Sequence, residues 1–448
     1  MSSEGQASVR PLERPLGEPG DEAVTGIRGE DAPVEGTDLL ERVLEAGNLR
    51  RALHQVRRHQ GAPGIDGMTV DGLGAYVKTH WPTIRAALLA GTYVPQPVRR
   101  TAIPKAGGGT RNLGIPTVLD RCIEQALLQV LQEEWDPPCS ESSDGFRPQH
   151  RAHQAVGQAQ AYIREGYAWG VDIDLERFFD QVNHDGLLSR VRRRVTDRRV
   201  LTLIHRFLKA GVLTLEGSVE PTAEGTPPGG PLSALLANLL LDEFDKELEK
   251  RGHRFARYAD AANIYVRSRQ AGERVMASVT RFLERKRRLK VNEAKSAVDR
   301  PWNRKCLGFT CTRRQPNRRQ VSEKALKAFK AKVREITGRT RGRTIRQIVK
   351  ELRQLMLGWR AFFGFAEVRS PRRDLDTWIR RRLRSYHGKP WGRKRYRELR
   401  KRGVGRQLAW NTVKSAHGPW RLSQSPALAI ALSQRYFATR GLPSLSEG

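Results

Sequence analysis

Four cysteines in 448 residues, none in Cys-x-x-Cys spacing, are too few for a disulfide scaffold. Cys122, Cys139, Cys306 and Cys311 offer neither a zinc cluster nor a redox pair, and their scarcity points to a reducing, cytoplasmic compartment. No run approaches the ~18 to 20 apolar residues that span a bilayer, so a membrane is not an expected partner. The N-terminus lacks a basic patch followed by an apolar core, which argues against secretion. Acids are scarce as well: 48 Asp and Glu face 81 Lys and Arg, for a net charge of +33 and a pI near 10.9.

Such a field attracts polyanions, and nucleic acid is the first expectation. The excess is uneven. From Cys311 onward about three dozen Lys and Arg stand against about eight acids. Hydrophobic content of 38% with 29% charge is that of a soluble chain, long enough for two or three domains.

Residues 1–37 are rich in Gly, Pro, Glu and Asp and are expected to be disordered, because they bury too little to offset ordering entropy. Helical periodicity begins near Leu39, breaks at Gly61-Ala-Pro-Gly-Ile-Asp-Gly67, and resumes from about Val70 to Ala90. Ile103 to Ile115 reads as a hairpin with Lys105 and Arg111 on opposite arms. Two cations so held suit a triphosphate; a solvated basic hairpin is the plainer alternative. Helices are expected over 120–134 and 152–165, with a turn over 140–148 between them.

Trp169 to Asp180 reads as a strand that places Asp172 and Asp174 on one face and Val171 and Ile173 on the other, running into a helix with Phe178, Phe179 and Val182. Phe255 to Val266 reads as two strands with Asp260 near their bend. Carboxylates brought together from two strands are what two-metal phosphoryl transfer requires. Each acid alone is equally a turn cap or a solvated edge. Between them, Gly225-Thr-Pro-Pro-Gly-Gly-Pro-Leu-Ser233 opens an apolar helix over 235–248; its glycines, Gly229 among them, allow close approach to a nucleotide or template, or simply a tight helix entry. A helix over 272–289, a short strand at Cys306-Leu-Gly-Phe309 and three helices (322–336, 345–363, 372–386) follow. In the tail, aromatics interleave with Arg and Lys, as in single-strand binders or in a small core.

The order of these motifs resembles a reverse transcriptase, and more narrowly a group II intron reverse transcriptase/maturase, over roughly residues 39–446. Gly61–Gly67, Gly358-Trp-Arg-Ala-Phe-Phe-Gly-Phe365 and Gly418-Pro-Trp-Arg-Leu422 carry the narrower likeness. With no Cys/His endonuclease module following, the chain looks like the compact bacterial class. The resemblance implies an α+β right-hand polymerase: a disordered tail (1–37), an N-terminal extension (38–95), fingers and palm (96–310), a helical thumb or maturase domain (311–388) and a small basic DNA-binding domain (389–448).

It further implies that Asp174 and Asp260 ligate two Mg²⁺ ions, with Lys295 near the leaving group. Lys105 and Arg111 would hold the triphosphate, Gly229 would lie along the nucleotide, and Phe179 would press on its sugar. Leu307 and Gly308 would grip the primer. Arg360, Arg380, Arg381, Arg384, Arg393 and Lys394 would meet RNA or DNA. The implied partners are structured intron RNA, an RNA template with DNA primer, target DNA and dNTPs, in a bacterial cytoplasm or nucleoid ribonucleoprotein. Splicing assistance and retromobility are the implied functions.

Three positions depart from the family pattern: Ala261 where a second acid is usual after Tyr-Ala-Asp, Pro228 where glutamine is usual, and Asp144 where an aromatic is usual. Polymerisation is therefore expected to be severely weakened or absent. The alternative is a silent maturase or RNA chaperone on the same scaffold. A third reading, a basic nucleic-acid-binding protein with no enzymatic ancestry, requires Asp174 and Asp260 to lie apart.

Overall fold

The computed structural model describes residues 38–104, 109–214, 216–222, 224–226, 229–314, 316–338, 342–388 and 394–447. The expected N-terminal disorder, Lys105, Pro228 and Arg393 lie outside these residues.

The N-terminal stripe folds as two helices, α1 (Leu39–Val43) and α2 (Ala46–His59), because Glu45 adopts an extended conformation between them. Helix α3 (Leu73–Leu89) accommodates Pro82. Strands β1 (Val98–Pro104) and β2 (Thr110–Ile115) pair antiparallel, pairing Ile103 with Arg111, and confirm the hairpin. Helices α4 (Val118–Trp135) and α5 (Ala152–Arg164) follow.

Strand β3 (Trp169–Asp174) does not run into a helix as expected. Arg177 takes a left-handed conformation (φ 45°), so Phe178–Asp180 is a single 3₁₀ turn, and the helix proper, α6 (His184–Arg194), starts after an Asn183 cap. Helix α7 (Arg198–Lys209) leads to two short strands the sequence did not announce, β4 (Val212–Leu213) and β5 (Val219–Glu220), which extend the β1–β2 hairpin into a four-stranded sheet.

Helix α8 (Pro231–Lys250) is largely buried and precedes β6 (Arg254–Tyr258) and β7 (Ala261–Val266). Helix α9 (Arg269–Arg287) and β8 (Ala297–Asp299) complete the central layer, whose strand order is β6-β7-β3-β8, all antiparallel. Its apolar face packs on α4, α8 and α9: Val171, Ile173, Phe255, Ile264 and Leu283 belong to one core. The alternate residues of β3, Asp172 and Asp174, stay half-buried on the other face.

The stretch 306–309 is a turn rather than a strand. Leu307 (φ 50°) and Gly308 (φ 86°) are both left-handed, and Cys306 and Phe309 exchange two 2.9 Å backbone hydrogen bonds. That is a two-residue hairpin turn, which demands positive φ at both central positions. It opens strand β9 (Phe309–Cys311), paired with β10 (Arg319–Val321).

The remainder is helical: α10 (Glu323–Ile336), α11 (Ile345–Phe363), α12 (Ser370–Gly388), then five short helices, α13 (Arg395–Lys401), α14 (Arg406–Lys414), α15 (Pro419–Leu422), α16 (Pro426–Ala431) and α17 (Gln434–Ala438). They share a second core around Leu352, Ile379, Leu399, Leu432 and Phe437. A third cluster, with Val156, Phe309, Val321, Phe362, Phe363 and Phe365, ties this helical region to α5 and the β9–β10 pair. Among the described residues no helix is long and apolar enough to cross a membrane.

Candidate active site

Strand register places the acids. In the β3–β7 ladder Asp174 pairs with Ala261, Ile173 with Ala262 and Asp172 with Asn263. Asp260 occupies the turn before β7, one residue from the direct partner of Asp174 and so ~3.8 Å along the chain. The register brings both acids to the same end of the sheet, which counts against the third reading. Directly opposed residues of an antiparallel pair point to the same side, and the 2.7 Å hydrogen bond from Asn263 to Asp172 shows it here. Position 261 thus presents its side chain beside Asp174, and it is a methyl group.

The turn is held from beneath. Arg257, 1% exposed, forks onto the fully buried Asp245 at 2.7 and 2.6 Å and donates to the Ala259 carbonyl at 2.9 Å. Its remaining contact is Asn238, which in turn donates to the Gly145 carbonyl. Gly145 lies so close that a Cβ there would come within 2.1 Å of the Ala259 nitrogen. Sequence reading missed Arg257, Asp245 and Asn238. The one available signal was a charged residue at an inward position of an otherwise apolar strand.

Cations surround the acids. Lys295 donates to the Asp174 carboxylate at 2.8 Å, and the Asp174 backbone N–H donates to the Ser296 hydroxyl at 3.1 Å. Arg304 binds Asp172 at 2.6 Å and the Lys295 carbonyl at 2.7 Å. Burial pushes the Asp172 carboxyl above its usual range while Arg304 opposes the shift. Asp172 is therefore engaged, and does not stand in for a missing acid. Lys305 and Lys324, also absent from the sequence reading, share with Asp174, Ala261, Leu307 and Gly308 a cleft of about 390 Å³. Burial, then the neighbouring Lys324, lowers the Lys305 pKa.

Phe179 lines a second cleft, of about 410 Å³, with Arg100, Asn112, Gly114 and Thr226. Arg111 is on β2, at the rim of this sheet. Gly229 is spent on packing: with φ 142°, a Cβ there would lie 2.2 Å from the Gly114 carbonyl oxygen. At Gly230 a Cβ would meet the Glu124 carboxylate at 2.2 Å. The two glycines bring the loop against β2 and α4 rather than against open space. Asp144, in place of an aromatic, is buried and accepts from His150 at 2.8 Å.

The basic residues of the helical region divide. Arg384 donates to the Leu432 carbonyl and Arg360 to the carbonyls of Ser444 and Glu447, so both serve as internal cross-links. Arg380 donates to Thr377, and Arg381 stacks on Trp420 at 3.9 Å. Lys394 is exposed.

Among the described residues no group of three or more His, Cys, Asp or Glu gathers as a metal cluster. Two carboxylates suit one hard cation that completes its shell with water and substrate phosphate.

An antiparallel sheet that carries the acids, a hairpin sheet and a helical region together fit a reverse-transcriptase-like α+β fold. Residues 103–311 match the family described as reverse transcriptase (RNA-dependent DNA polymerase), and residues 326–404 match the group II intron, maturase-specific domain. The chain belongs to the group II intron reverse transcriptase/maturases. It is 37% identical over 219 residues to protein YkfC of Escherichia coli K12, covering 48% of this chain and 57% of that protein. It is 40% identical over 161 residues to the group II intron-encoded protein LtrA of Lactococcus lactis, covering 36% of this chain and 26% of LtrA. Nuclear intron maturase 4 of Arabidopsis thaliana is 29% identical over 183 residues, 38% of this chain and 22% of that protein. The match thus spans little more than half of YkfC and about a quarter of the other two. A solved partial Cas6-RT-Cas1–Cas2 complex aligns at TM-score 0.36 and 22% identity, covering 56% of this chain and 43% of that one.

Proposed function

We propose that this chain binds structured intron RNA and a primer–template through its basic surfaces, with the helices after Ser322 as thumb and maturase domain and the residues after 389 contacting DNA. In this reading it assists splicing and retromobility, and its own DNA synthesis from dNTPs is strongly attenuated. The observation that carries the attenuation is the ladder pair Asp174–Ala261. Asp174 and Asp260 would hold Mg²⁺, in a two-metal site weakened by Ala261, and the metal would supply charge neutralisation at the substrate phosphates. Lys295, already on Asp174, would yield that carboxylate to the metal and face the leaving group.

A second reading, a silent maturase, is favoured by the same pair together with the acid at position 144. Loss of an outer partner of a metal costs about 10- to 100-fold, and an inner-sphere carboxylate should cost at least that. Primer extension on RNA with Mg²⁺ and dNTPs compares the two. The unaltered chain should extend at least ~100-fold more slowly than Ala261→Asp. Extension restored only in Ala261→Asp, with none by the unaltered chain, selects the silent-maturase reading. Equal, robust extension by both ends the metal argument.

A further inference from the structure

Phe146 has three properties that do not belong together in a residue that serves only the core. Its backbone is left-handed (φ 62°), a conformation costly for an aromatic residue. Its side chain is 42% exposed, one of few large apolar residues on the surface. Its ring stands edge-on to Phe179, centroid to centroid 6.4 Å, beside the second cleft.

The strain is over-determined by its neighbours. Gly145 is wedged against the Ala259 backbone of the acidic turn, and its carbonyl accepts from Asn238. On the other side Arg147, almost buried, donates to Asp136 and to the carbonyls of Ser140 and Ser143. Gln132 donates to the Phe146 carbonyl itself at 3.3 Å. These anchors fix the backbone on both sides of Phe146, and the consequence is a ring held exposed beside Phe179. Strained residues so held cluster where a ligand is met.

The geometry points to Phe146 as a nucleobase-contacting residue: its exposed ring, held edge-on to Phe179, is a platform on which a base of the primer–template or of the incoming nucleotide stacks. This rests on the reading of the cleft as a nucleic-acid site. It adds a binding contact that does not depend on Ala261, because stacking needs no metal. An aromatic face accepts every base, so the contact contributes affinity and placement rather than sequence choice.

The test uses the full chain and photochemistry, so no turnover is needed. In one arm the template RNA carries 5-iodouridine at its first unpaired position. In the other, 5-iodo-dUTP is offered to a complex whose primer ends in a dideoxynucleotide. Crosslinks are mapped by mass spectrometry, and the expected outcome is Phe146 in one arm, which names the source of the base. Alongside, Phe146→Gly removes the ring and the backbone strain together. Its melting temperature should equal or exceed that of the parent, while primer–template affinity drops about fivefold or more and Phe146→Tyr restores it. Crosslinks elsewhere in both arms, or unchanged affinity in the folded glycine variant, overturn the role of Phe146 alone. A parent chain that binds no primer–template overturns this contact and the nucleic-acid reading together.

Discussion

Arg257 shows why single residues at the palm carry more than their own contacts. It is buried, bidentate on Asp245, and is the donor that fixes the Ala259 carbonyl next to Asp260. Replacing it with leucine leaves the Asp245 charge buried and unpaired, an arrangement that costs about 3–5 kcal/mol. Urea unfolding of Arg257→Leu should show that loss, and Arg257→Leu with Asp245→Leu should recover most of it. The two acids and their flanking apolar residues were readable from the sequence because strand alternation has a strict period of two. Arg257 was not, since nothing local says that its partner is twelve residues away on a helix. Lys305 and Lys324 escaped for a related reason: they reach the cleft through a left-handed turn at Leu307 and Gly308 that an apolar run disguised as a strand.

Among the elements, the junction of α4 with α8 holds the least conventional chemistry. Glu124 is fully buried at the start of α8, where the Leu232 N–H approaches it at 3.4 Å, and Asp120 lies on the same helix a turn away. Burial, and then Asp120, pushes the Glu124 carboxyl from its ordinary 4.5 up to about 8. Asp120 is raised too, by burial, against donors from Thr117, Tyr93 and Gln96. An acid whose folded pKa is raised holds its proton more tightly in the folded state. Stability is therefore greatest below about pH 4.5 with respect to this group and declines as pH rises through about 8. Glu124→Gln should flatten that decline, leaving a variant more stable than the parent above pH 8 by at least ~1 kcal/mol in thermal or urea unfolding. A parallel pH dependence in both proteins contradicts the assignment. The helices themselves were legible from apolar spacing, whereas β4 and β5, two residues each, were below the length at which any pattern registers.

At the scale of the whole molecule, charge decides behaviour. The net charge of +33 is concentrated after Cys311, in and beyond the segment that matches the maturase-specific domain. If RNA is held through many phosphates, affinity should fall about a thousandfold between 50 and 200 mM salt, read by filter binding or fluorescence anisotropy. A flat salt response contradicts a phosphate-based grip. That the last third is helical was legible from its apolar spacing. Which arginines are available was not, because Arg360 and Arg384 face carbonyls contributed by residues 48 or more positions away. One last consequence follows from the ladder that sets Ala261 opposite Asp174. The backbone there is already strand, so restoring a carboxylate requires no refolding. Where the alanine codon ends in a pyrimidine, one transversion writes aspartate, so a carboxylate facing Asp174 is a single base away.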